Sequence, residues 1–157
     1  MKLLLTSLAI LLATASMVQS APGHSGGHDG PPEVAVYGQP GDPKKPARVV
    51  QLLMNDKMRF VPDAITVKPG ENIRFVVKNT GEIKHEMVIG TRKDLEEHAA
   101  VMQKFPEMEH ADENSISLQP SKSGDVFWRF TKAGTYYLGC LIPGHLESGM
   151  IATVVVK

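Results

Sequence analysis

Cys140-Leu-Ile-Pro-Gly-His145-Leu-Glu-Ser-Gly-Met150 sets a thiolate, an imidazole and a thioether at equal intervals along one short stretch. A second imidazole, His85, lies upstream in Lys84-His85-Glu86-Met87, at the end of a strand-like run. Two imidazoles, one thiolate and one weak axial methionine form a donor set for copper that cycles between Cu(I) and Cu(II). Cu(I) accepts a trigonal array of soft donors, whereas Cu(II) favours a tetragonal field. A trigonal Cys-His-His set with a distant methionine suits both, so an electron can move with little ligand rearrangement. Zinc accepts the same Cys and His donors, and colour separates the two, since only a Cu(II)-thiolate bond absorbs strongly in the visible. With the thiolate bound, the Cu(I) centre is formally neutral and the Cu(II) centre carries one positive charge.

Such a site needs elements that bring distant residues to one point. Cys140 follows a short strand expected over 135–138, Pro143-Gly144 turns the loop back so that His145 returns towards it, and Met150 opens a final strand at 151–156. His85 comes from a separate strand, which ties the site to the fold rather than to one loop. Short apolar runs at 48–54, 58–61, 65–67, 72–79, 87–89, 115–118 and 126–130 alternate with turn signals. Pro69-Gly70, Ser123-Gly124-Asp125 and Ala133-Gly134 read as turns. Many short strands at close intervals predict an all-β, antiparallel Greek-key β-sandwich. One segment has helical spacing: Leu95, Ala99 and Met102 recur on one face of residues 93–105. Thr91 and Asp94 predict its capping box, and Pro106 its end.

The chain has 157 residues, with 17 basic and 17 acidic side chains. That balance argues against nucleic acid, which calls for a basic surplus. Residues 1–20 read as a signal peptide: Lys2, an apolar run, then small residues, with cleavage after Ser20. The apolar part is too short for a membrane anchor, so the mature protein is expected in the periplasm. Residues 21–46 read as a flexible tail bearing His24 and His28, followed by a proline-rich linker with a short strand at 34–37. Residues 47–157 form the expected domain. Cys140 is the only cysteine, which excludes an internal disulfide.

The chain resembles the cupredoxins, the group that includes plastocyanin, azurin, pseudoazurin and rusticyanin. The resemblance rests on Asn79-Thr-Gly81 ahead of His85, Tyr137-Leu-Gly-Cys140, and Pro143-Gly144-His145, and covers residues 47–157. The spacing from Cys140 to His145 to Met150 looks closest to the rusticyanin type. The resemblance implies a Greek-key sandwich with one type 1 copper, held by His85, Cys140 and His145 in the plane and Met150 on the axis. Glu86 departs from the asparagine that many members carry after the first histidine. A carboxylate there would stabilise Cu(II) and lower the potential.

Two functions share this site. The first is single-electron transfer in the periplasm by a monomer. Its redox partners would dock near His145 on an apolar collar of Leu141, Ile142, Pro143 and Leu146. The second is copper tolerance, with accessory copper held at Met108/His110 or His24/His28. No enzymatic activity is expected: Gly139 and Leu141 flank the cysteine where multicopper enzymes place histidines.

Overall fold

The computed structural model describes residues 37–106 and 112–157. The expected signal peptide, the His24/His28 tail and the Met108/His110 pair lie outside these residues. So does the strand expected at 34–37, except for Tyr37, which sits in a turn.

Ten strands and one helix follow in chain order: β1 (Gln39–Pro40), β2 (Arg48–Asn55), β3 (Arg59–Val61), β4 (Ala64–Val67), β5 (Ile73–Asn79), β6 (His85–Gly90), α1 (Arg92–Lys104), β7 (Ser115–Leu118), β8 (Ser123–Arg129), β9 (Gly134–Gly139) and β10 (Ile151–Val156). They form two five-stranded sheets, ordered β1-β8-β5-β2-β3 and β4-β10-β9-β6-β7. The β-sandwich with one inserted helix is therefore observed. Most pairings are antiparallel, but β2 with β5 and β4 with β10 are parallel. Parallel neighbours arise where the chain returns from the other sheet instead of turning back on itself. The first sheet also takes in Gln39–Pro40, ahead of residue 47, and these residues pair with β8 as a short edge strand.

Period-two burial builds the core. Val50, Leu52 and Met54 of β2 face Ile73, Phe75 and Val77 of β5 on the same inner side, opposed by Ala152, Val154 and Val156 of β10. Strand β6 departs from alternation and is buried on both faces. Met87 and Ile89 enter the main core, whereas Val88 joins Leu95, Ala99, Met102 and Leu141 in a second cluster beneath α1. The helix starts as its capping box predicts: Thr91 Oγ1 accepts from the Asp94 N–H, and Asp94 Oδ2 accepts from the Thr91 N–H. Gly139 lets the helix approach β9, since a Cβ there would lie 3.0 Å from Leu95 Cδ1.

One turn differs from expectation. Ser123-Gly124-Asp125 is not a turn but the start of β8, with Gly124 opposite Val77. The bend lies just upstream, where the Lys122 N–H donates to Gln119 O and Ser121 takes a positive φ of 64°. Between β2 and β3 the chain reverses over Asn55-Asp56-Lys57-Met58. Asn55 Oδ1 accepts from the Lys57 N–H at 3.0 Å, Asn55 O accepts from the Met58 N–H at 3.0 Å, and Met58 adopts φ 55°. An asparagine side chain that bonds its own backbone two residues on is a turn device in its own right. Between β3, on the edge of one sheet, and β4, on the edge of the other, only Pro62 and Asp63 intervene.

Candidate metal centre

Three adjacent strands of the second sheet deliver the predicted donors. His85 opens β6, Cys140 follows β9 and Met150 precedes β10. Strand β9 runs antiparallel to both of its neighbours, so the start of β6, the end of β9 and the start of β10 meet at one end of the sandwich. The donor atoms of His85, Cys140 and His145 lie within 4.8 Å of one another. Cys140 Sγ is 3.3 Å from His145 Nδ1, and the two imidazole centroids are 5.1 Å apart. His85, Cys140 and Met150 are fully buried, and His145 is half-buried.

Backbone hydrogen bonds shape the loop that carries the last three residues of the set. The Cys140 N–H donates to Met150 O at 3.1 Å and the Met150 N–H to His145 O at 3.0 Å. Ser148 Oγ donates to Gly144 O at 2.6 Å. Gly149 takes φ 90°, a left-handed conformation that glycine adopts without strain. Upstream, Asn79 is buried and ties the approach to His85: its Nδ2 donates to Ile83 O at 2.7 Å and Leu118 O at 2.9 Å, and its Oδ1 accepts from the Gly81 N–H.

The chemistry of these groups fits a soft cation. His85 Nε2 lies 2.9 Å from Asp56 Oδ1, and a carboxylate accepts there, so the ring proton sits on Nε2. That leaves Nδ1 as a bare acceptor, fully buried and with no hydrogen-bond partner. An unpaired buried polar atom is costly, and a metal ion on Nδ1 satisfies it. Burial pushes the Cys140 thiol up to about 12, and the Glu86 carboxylate adds to this, while the N–H groups of Glu86 and Ile142 pull the other way. The Glu86 N–H donates to Sγ at 3.3 Å and so favours the thiolate. Burial, then the neighbouring His85 ring, holds His145 below the usual imidazole range, so the ring resists protonation. A thiol that resists ionisation beside two imidazoles is the setting in which a bound cation supplies the missing charge.

Sequence reasoning missed two residues of this neighbourhood. Asp56 is one. The other is Arg59, whose Nη1 donates to Met58 O at 2.7 Å, Ser148 O at 3.1 Å and Gly149 O at 3.3 Å. The apolar collar expected near His145 is smaller than proposed. Leu141 turns inward into the cluster beneath α1, because that cluster offers it an apolar seat. Ile142 and Leu146 are half-buried, and Pro143 and Gly144 are exposed. Glu86 is buried, with Oε1 accepting from Ser117 Oγ at 3.1 Å. The carboxylate that meets a donor ring is that of Asp56.

The model of copper binding proteins of the plastocyanin/azurin family matches residues 47–157. The chain belongs to this family. It is 43% identical to the "Copper-resistant cuproprotein CopI" of Rubrivivax gelatinosus, over 98% of this chain and 94% of that protein. A protein of the same description from Pseudomonas aeruginosa is 29% identical, over 99% of this chain and 97% of its own length. Among solved structures, this cupredoxin is similar in fold to the reduced auracyanin of Roseiflexus castenholzii, with a TM-score of 0.59 at 22% identity over 71% of this chain and 99% of that one. Auracyanin A of Chloroflexus aurantiacus, titled a "blue" copper protein, gives a TM-score of 0.61 at 19% identity over 71% of this chain and 100% of that one. Among the described residues, no helix is long and apolar enough to cross a membrane.

Proposed function

We propose that this cupredoxin binds one copper ion through His85, Cys140, His145 and Met150 and serves copper tolerance in the periplasm. The observation that carries this reading is the near full-length similarity, at 43% identity, to a protein described as copper-resistant. The buried Cys-His-His cluster supports the copper part: its unpaired Nδ1 and hard-to-ionise thiol suit a soft ion. When bound, copper supplies a centre that takes up and releases one electron. The chain's own part is to hold a thiolate and two neutral imidazoles in a dry pocket. This reading assigns the protein no catalytic turnover.

Single-electron transfer remains the second reading. It is favoured by the half-buried His145 ring beside exposed Pro143 and Gly144, a place where a partner protein can approach the centre.

A deletion strain grown across copper concentrations separates the two readings. Tolerance predicts a growth defect only in copper excess. Normal growth there would remove that reading. On the purified protein, Cys140→Ser should abolish the strong visible absorption of the copper-loaded form, because the thiolate is the chromophore. A retained band would refute the ligand assignment.

A further inference from the structure

The hairpin of β2 and β3 belongs to the sheet that carries no donor, yet it reaches the candidate site at two places. Asp56 meets the His85 ring, and Arg59 holds the carbonyls of Ser148 and Gly149, just ahead of Met150. We propose that Asp56 is a positioning residue of the metal centre, which fixes the His85 ring and, by its charge, favours the oxidised ion. This rests on the copper reading above.

The first half of the inference is geometric. One oxygen of Asp56 accepts from Nε2, so the ring must present Nδ1 to the site. The carboxylate itself is locked. Oδ2 accepts from the Glu82 N–H at 2.7 Å, and Gly81 packs so closely that a Cβ there would collide with Oδ1. The turn that carries Asp56 is closed by Asn55 from one side and anchored by Arg59 from the other. An imidazole whose outer nitrogen faces a fixed carboxylate has a fixed tautomer and orientation and becomes a stronger donor.

The second half is electrostatic. The Cu(II) form of a Cys-His-His centre carries one more positive charge than the Cu(I) form, and a carboxylate one imidazole away favours the more positive state. Asp56 bonds directly to a donor ring, whereas the Glu86 carboxylate is engaged by Ser117. Asp56 is therefore the acid hydrogen-bonded to a donor ring, whereas Glu86 acts on the Cys140 thiol through space.

The test compares the full chain with Asp56→Asn and Asp56→Ala, all loaded with copper. Reduction potentials are read by spectroelectrochemistry, and Cu(II) and Cu(I) affinities by chelator competition. Asp56→Asn keeps the side chain's size and removes its charge. The expected result is a ~10–100-fold loss of Cu(II) affinity, a smaller loss for Cu(I), and a raised potential. Each tenfold loss confined to Cu(II) raises the potential by about 59 mV. Asp56→Ala, which also frees the ring, should in addition shift the thiolate-to-copper band. If both affinities fall by the same factor and the potential stays put, Asp56 only closes the turn and the inference is wrong. An Asn variant indistinguishable from the parent overturns it as well. A parent protein that shows no thiolate-to-copper band sinks the copper reading itself, and this inference with it. A parent with the band and an unmoved variant removes this inference alone.

Discussion

Cys140 and His145 carry opposite consequences for the metal-free protein as pH changes. The folded thiol sits at about 12 against an ordinary 9.0. Its contribution to stability is full below the unfolded value and is lost as pH rises from about 9 towards 12. The His145 ring is depressed from 6.5, so the unfolded chain takes up that proton more readily. Its contribution is present above the ordinary imidazole value and falls away as pH drops below it. The apo-protein should therefore have its highest urea midpoint between these limits, with losses on both sides. A midpoint that keeps rising above pH 9 would contradict the buried thiol. Copper loading near neutral pH should release about one proton, from Cys140, because the metal takes thiolate. Proton release measured in weak buffer checks this, and Cys140→Ser should remove it. The cluster of His85, Cys140 and His145 was legible in sequence because the types and intervals of its residues are local properties of one loop and one strand end. Asp56 was not, since it lies 29 residues from His85 and only the fold joins them.

At the scale of elements, α1 does more than fill an insertion. Leu95, Ala99 and Met102 form one apolar cluster with Leu141 of the ligand loop, and Leu146 packs against it. Gln103 Nε2 donates to Glu147 Oε1 across the same seam. Leu95→Ala should cost about 2–5 kcal/mol, seen as a lowered urea midpoint. The copper-loaded variant should also lose its metal faster to a chelator, because Leu141 follows Cys140 directly. Destabilisation with unchanged copper release would show that the helix supports the sheet but not the loop. The helix was readable from its period and its cap, both local. The start of β8 was misread because Ser-Gly-Asp carries turn chemistry on its own. Pairing with β5 overrides it, and Gly124 suits the close approach of Ile116, whose Cδ1 a Cβ would meet at 2.5 Å. The parallel pairings were equally hidden, since apolar alternation marks a strand but not its neighbour.

Across the whole molecule, the candidate donors come from one sheet, and two of the side chains that hold them come from the other. His85 opens β6, Cys140 follows β9 and Met150 precedes β10, whereas Asp56 and Arg59 reach in from the β2–β3 hairpin. With the supports made by the folded chain itself, removing copper should leave the sandwich intact. Far-ultraviolet circular dichroism of apo- and copper-loaded protein should coincide at room temperature, with the melting temperature lower without metal. Collapse of the spectrum on metal removal would mean that the ion, and not the core, builds the site.

The short link through Pro62 and Asp63 acts like the spine of a book. It ties one cover to the other along one margin, where β10 also packs against β3. The opposite margin is closed as well, by β7 packing on β8 and by the link over residues 119–122. The turn that bears Asp56 lies on the Pro62–Asp63 side, so the metal's supports sit where the covers are joined.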